Sequence, residues 1–129
     1  MAQAGLHAAF GYQIQRIVPN ERYLCPAVMF GAILPDIDIF LVAIGSIFYP
    51  ISVSEHIFHR SFSHSLFTIM IVYLVFAIAA EWKKKPALKI IGKGLVLGIL
   101  SHIILDTFFW FREIQLLWPL PFQPFDIWK

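Results

Sequence analysis

Charge is what this chain is short of. Asp, Glu, Lys and Arg make up 14% of its 129 residues, against roughly 25% in an average soluble domain, and the net charge is only +2. The basic residues form no continuous face, which argues against nucleic acid as a partner. Cysteine is almost absent: Cys25 stands alone, so an internal disulfide and the Cys-rich zinc motifs are excluded. Repeats, linkers and low-complexity tracts are missing too. The first residues lack a basic flank and an apolar core of the secretory type, with His7 where that core would lie, and are expected to belong to the mature protein. The length leaves no room for a catalytic domain beside a separate membrane anchor, so residues 1–129 read as a single domain in which site and membrane segments share one body.

What fills the space is apolar. Hydrophobic residues reach 59% of the chain, against roughly 45–50% in soluble domains, and the mean hydropathy is +0.73. So large an excess is explained by lipid as the surrounding medium.

Read in order, Gly5 to Val18 is expected to form a short helix at the membrane interface, with Leu6, Phe10 and Ile14 on one side. Pro19-Asn20-Glu21-Arg22 ends it. Ala27 to Val53 is apolar but interrupted by Pro35-Asp36-Ile37-Asp38, which predicts a helix to Leu34, a turn, and a second helix from about Asp38 to Phe48. Pro50 to Phe58 reads as a connection. Ser61 to Ala80 carries no formal charge apart from His64 and matches the ~20 residues that span a bilayer. Glu81-Trp82-Lys83-Lys84-Lys85-Pro86 is a turn at the membrane surface, and Ala87 to Phe111 returns as another long apolar helix. Pro119, Pro121 and Pro124 then predict an extended tail. The fold class is therefore all-α: a polytopic transmembrane bundle with an interfacial N-terminal helix and a Pro-rich C-terminal tail.

Against this background His7, Asp36, Asp38, His59, His64, His102 and Asp106 are conspicuous. Isolated imidazoles and carboxylates in apolar segments cost several kcal/mol each unless paired or bound to a cation. In a hairpin turning near Lys84, His64 lies twenty residues before the turn and His102 eighteen after it. At ~1.5 Å per residue both sit roughly 27–30 Å from the turn, at one depth. His102 and Asp106 are i and i+4 on one face, and that stripe continues through Gly98 and Gly94. Ser61, His64, Ser65 and Thr68 form the polar stripe of the preceding helix, so the two stripes are expected to pack together, with small residues allowing close approach. Each group alone has an ordinary reading, a hydrogen-bonded core His or an Asp paired with Arg60 or Arg112. Their number and matched depth favour a shared metal centre. His56, in the loop, lacks these relations.

The segments that carry these residues resemble the YdjM-like family of small prokaryotic inner-membrane proteins, described as membrane-bound metal-dependent hydrolases. The matching pieces are His7, the Gly31-Ala32-Ile33-Leu34-Pro35-Asp36-Ile37-Asp38 stretch, His59-Arg60-Ser61-Phe62-Ser63-His64-Ser65, Gly98 to Ser101-His102 with Leu105-Asp106, and Leu117-Trp118-Pro119. Members often have Thr where this chain has Ser63, and both offer a hydroxyl. The resemblance implies a metal-binding helical protein of the prokaryotic inner membrane. By analogy, the arrangement is also similar to zinc-dependent phospholipases C, which would suit a lipid phosphoester.

Two functional classes follow. In the first, water activated by one or two divalent ions, Zn²⁺ foremost with Mn²⁺ or Fe²⁺ as alternatives, hydrolyses a phosphoester or lipid-like substrate. Asp36, His64, His102 and Asp106 are the expected ligands. His7, Asp38 and His59 complete a second metal or orient the first, Asp38 is a candidate general base and Arg60 a candidate phosphate anchor. In the second, the protein is non-enzymatic and its metal is structural, sensed or carried, the last as a homo-oligomer. Lys83, Lys84, Lys85 and Lys89 place the hairpin turn in the cytoplasm by the positive-inside tendency, which opens the site towards the outer face.

Overall fold

The computed structural model describes residues 2–14, 17, 19–59, 62–110 and 114–123, with the side chains of residues 2–4, 56 and 110 outside the description. It is all-helical. Helix α1 (Ala2–Ile14) leads to α2 (Leu24–Gly31), a 3₁₀ turn (Leu34–Asp38), α3 (Ile39–Gly45) and α4 (Ile51–Phe58). A second 3₁₀ turn (Phe62–His64) precedes the hairpin of α5 (Leu66–Trp82) and α6 (Pro86–Leu105), and α6 continues as a π turn over Asp106–Trp110.

Local chemistry accounts for the boundaries. The Ser65 hydroxyl accepts the Thr68 amide at 3.2 Å and so caps α5, satisfying one of the free donors of a helix start. The hairpin turns on Lys84, which takes a left-handed φ of 52°, and Pro86 opens α6 where its missing N–H is no loss. Lys89 pairs with Glu81 across the turn. Three segments differ from the sequence reading: His64 and Ser65, expected in the polar stripe of the long helix, lie in the 3₁₀ turn and the cap that precede α5. Residues Ile51–Phe58 are a helix rather than a connection, started by Pro50, whose carbonyl accepts the Val53 and Ser54 amides. At the C-terminus, turns occupy residues 116–119, and 124–129, where the extended tail was expected to continue, lie outside the described residues.

The helix pairing also differs. Gly94 and Gly98 face α2, not α5: a Cβ on Gly98 would overlap the Val28 carbonyl and the Ala32 amide, and one on Gly94 would meet the Ala27 methyl. Gly31 approaches the Leu95 backbone in return. α5 meets α6 elsewhere, with Phe76 over Gly92. Because Leu24 adjoins Gly94 and Val28 adjoins Gly98, α2 and α6 run in the same direction, and α6 continues to Leu105 past the end of α2 at Gly31. α1 lies against them the opposite way, with Gly11 on Ala32. Its inner face carries His7, 1% exposed, while Leu6 and Phe10 point outwards. Among the described residues large apolar side chains are exposed on most elements, and Ile71, Val75 and Ile78 on α5 are about as exposed as Phe40 on α3.

The apolar stretch Pro86–Phe109, 24 residues or about 36 Å at ~1.5 Å per residue, is long enough for the ~30 Å hydrocarbon core. The pair Leu24–Gly31 and Leu34–Gly45 passes the same test as one segment bent by 44°, and Leu66–Trp82 is apolar but shorter.

The glycine contacts make a direct prediction. Gly98→Ala pushes its methyl into the backbone of α2, and overpacking of this kind typically costs about 1–3 kcal/mol. Gly5, with open space around its Cβ position, should tolerate Ala without loss. Thermal unfolding of the detergent-purified protein should fall clearly for Gly98→Ala alone; equal midpoints would separate α2 from α6.

Candidate metal centre

Four chain segments end at one place. α6 supplies His102 and, at its change to a π turn, Asp106, a kind of irregularity that recurs at functional sites. The turn after α2 supplies Asp36 and Asp38, the turn before α5 supplies Ser63 and His64, and α1 supplies His7. His7, His64, His102 and Asp106 are all 0–1% exposed.

The centre is a triangle of donor atoms. His64 Nε2 lies 3.2 Å from His102 Nε2, and each lies 3.3 Å from Asp106 Oδ2. Asp36 Oδ1 stands 3.6 Å from His102 Nε2, and its side chain, 25% exposed, is the accessible edge of the group. Donors about 2.0–2.1 Å from a tetrahedral ion are separated by about 3.3–3.4 Å from tetrahedral geometry, so the edges fit one ion.

Hydrogen bonding fixes which nitrogens are free. Ser63 donates its hydroxyl to Asp38 Oδ2 at 2.5 Å. Its oxygen can then only accept, so His64 Nδ1, 2.9 Å away, carries a hydrogen. His102 Nδ1 is 2.8 Å from the Ala32 carbonyl and must also donate. Both imidazoles, if neutral, therefore aim an Nε2 lone pair into the triangle, the ligating form held by an outer hydrogen bond. Two buried lone pairs 3.2 Å apart beside a carboxylate repel without a cation. A shared proton would satisfy one edge only, and protonating both rings would bury two cations side by side. Among the described residues neither Asp106 oxygen receives a well-aligned hydrogen bond. The donor set fits a divalent ion.

The remaining residues surround this triangle. His7 Nε2 is 3.1 Å from Asp106 Oδ1, and its ring stacks on His102 at 3.9 Å between centroids. His7, His102 and Asp106 therefore form a second potential ligand group sharing members with Asp36, His64 and His102. Asp38 does not reach the triangle: its Oδ1 lies 2.7 Å from His59 Nδ1 and its Oδ2 is taken by Ser63. His59 is brought to Asp38 and, edge-on at 5.8 Å between ring centroids, to His64. Arg60 and Arg112, and the His56 side chain, fall outside the described residues. Two contributors escape a reading of residue types. Ala32 acts through its backbone, and only its place beside the Gly31 packing contact hints at it. Ser63 stands immediately before His64, but a hydroxyl in that position carries no mark of its bridging role.

The whole constellation lies in a chain whose affiliation is clear: residues 1–127 match the model of the YdjM inner membrane protein family, and the chain belongs to that family. No curated protein and no solved structure matches it.

If these atoms bind one ion together, removing a donor strips it. His102→Ala and Asp106→Asn should each lose most of the bound metal, because the remaining donors are left under-coordinated in a buried site. Glu81→Gln, at the distant hairpin turn, should keep it. Elemental analysis of the purified proteins decides, and full occupancy in both site variants would remove His102 and Asp106 from the centre.

Proposed function

We propose that this inner-membrane protein is a multi-pass metal-dependent hydrolase acting on a phosphoester or lipid-like ester. The observation that carries the reading is the shape of the donor set, three tightly spaced buried donors with the accessible Asp36 on the fourth side. Catalytic zinc sites have three protein ligands and an open position, whereas structural sites are closed. Taking His64, His102 and Asp106 as the ligands leaves the Asp36 side for water, which supports the first kind.

A divalent ion, when bound, supplies an acidified water and polarises the oxygen of the bond under attack. Hydrolysis joins the water oxygen to phosphorus or acyl carbon and breaks the bond to the leaving oxygen, which takes up a proton. The protein's part is placement. Asp36, the exposed carboxylate, is positioned to take the proton from water, while Asp38, 3% exposed and engaged by His59 and Ser63, orients His64 through the serine. His7 Nε2 stands 3.1 Å from the second oxygen of Asp106. The rival reading is a structural or sensing metal, favoured if Asp36 closes the shell as a fourth ligand.

The α2–turn–α3 segment, α5 and α6 form the membrane-crossing part in this reading, with His102 and Asp106 near one end of the long apolar helix. Arg22 precedes the start of α2 level with Gly94, so with Lys83, Lys84, Lys85, Lys89 and Lys93 it lies on the hairpin side of the site. The positive-inside tendency turns that side to the cytoplasm and the centre to the outer face.

Purified protein should hydrolyse phosphodiester or phospholipid test substrates, lose the activity to a chelator and regain it with a divalent ion. Asp36→Asn should lower turnover at least tenfold while retaining metal. A metal-loaded protein inert towards every ester class tested would leave the non-enzymatic reading in its place.

Sidedness is tested separately. In a Cys25→Ser background, a cysteine replacing Lys84 should resist an impermeant thiol reagent in intact cells and react after permeabilisation. Immediate labelling would turn the centre towards the cytoplasm.

A further inference from the structure

Beside the metal centre runs a groove of about 370 Å³, walled by Leu34, Ile37, Leu41, Phe62 and Ile99. Its size falls within the ~300–1,000 Å³ of small-molecule sites. Three observations bear on what it holds. First, its outer wall is continuous with the molecule's apolar exterior: Ile37, Phe40, Leu41 and Phe62 are 37–67% exposed. In an inner-membrane protein that exterior is in contact with acyl chains. Second, the groove is not apolar throughout, because the buried Asp38 and Ser63 also line it, and Ser63 is hydrogen-bonded to His64. Third, of the 3₁₀ turn Leu34–Asp38 the residues Leu34, Pro35, Ile37 and Asp38 line the groove, while Asp36 is the one that stands by His102. The groove thus joins the lipid-facing surface to Asp38 and Ser63, the pair that stands behind His64.

We infer that this groove binds one acyl chain of a membrane lipid and brings the polar end of that lipid to Asp38 and Ser63, beside the metal centre. The inference rests on the hydrolase reading only for the lipid's fate; the binding itself does not require catalysis. An amphiphile matches the groove because an apolar channel ends beside polar groups, whereas a small hydrophilic phosphoester would leave the apolar walls uncovered. It also gives α3 a purpose, since Phe40 and Leu41 line the groove together with Ile99 without donating to the centre.

The test uses the full-length protein in vesicles of phosphatidylglycerol and phosphatidylethanolamine doped with a phospholipid bearing a diazirine in one acyl chain. After irradiation and peptide mapping, adducts should concentrate on Leu34, Phe62 and Ile99, severalfold above those on the exposed α5 residues Val75 and Ile78, which report bulk lipid. Leu41→Trp, which narrows the groove from its exposed wall, should abolish that excess; Thr68→Trp, from α5, should do the same. Unchanged metal content in both variants establishes that the fold is kept. Groove labelling no higher than that of Val75 and Ile78, or an excess surviving both substitutions, overturns the inference. The outcomes separate from those of the hydrolase assay: selective labelling without turnover upholds the groove and removes the enzyme, and turnover without selective labelling does the reverse.

Discussion

The fold depends on the cost of placing Asp106 between His64 and His102 where water does not reach. In a medium of low dielectric constant a carboxylate and two imidazoles at 3.2–3.3 Å are tolerable only with positive charge among them. Everything around the triangle serves that arrangement. Ser63 and the Ala32 carbonyl take the Nδ1 hydrogens, His7 faces the outer oxygen of Asp106, and Asp38 anchors Ser63 and His59. The polar side chains that surround the triangle are thereby tied to it, whereas Ser101 and Thr107 donate to their own helix backbone at Gly98 and Ile103.

Close packing makes one of these ties possible. The Ala32 carbonyl reaches His102 because α2 and α6 touch backbone to backbone at Gly31, Gly94 and Gly98. A larger residue at Gly98 would move the carbonyl away from the imidazole and leave Nδ1–H buried without an acceptor, a loss of about 1–3 kcal/mol in addition to the packing cost. The stripe of small residues therefore sets helix spacing and, through it, the tautomer of His102.

How much of this was legible in the sequence depends on what kind of signal each residue carries. The hairpin about Lys84 was readable because charge, tryptophan and proline coincide at a turn between apolar runs, and residue counting from it puts His64 and His102 at one level. The glycine stripe was visible, but its partner was not: small residues state that something comes close without stating which helix. For α1 the apolar positions Leu6 and Phe10 drew the eye, yet in lipid the inward face is the one with His7 and Gly11. α4 was missed because Pro50 suggests interruption, although proline is well suited to precede a helix. The split between triangle and surroundings was also illegible: Asp36 and Asp38 are two residues apart on one turn, and only the turn's 3₁₀ winding sends one to His102 and the other to Ser63 and His59.

The donors' distribution along the chain has an energetic consequence. His7, Asp36, His64 and Asp106 come from the first helix, the turn after the second, the turn before the hairpin and the end of the last helix. No local segment can assemble the centre, so the ion-binding geometry exists only when these helices are packed. Binding free energy at such a site is then free energy of the native arrangement, and it acts on the elements with least packing of their own. α1 is the clearest of these, because its small inner face at Gly11 and the His7 contact with Asp106 hold it to the bundle. The two turns that carry Asp36 and His64 depend on it in the same way, since irregular backbone at membrane depth is tolerated only where it is buried in protein or lines a cavity. The polar centre that is hardest to accommodate in lipid is thus what allows the chain to depart from regular helix there, and that departure creates both the accessible Asp36 edge and the groove beside it.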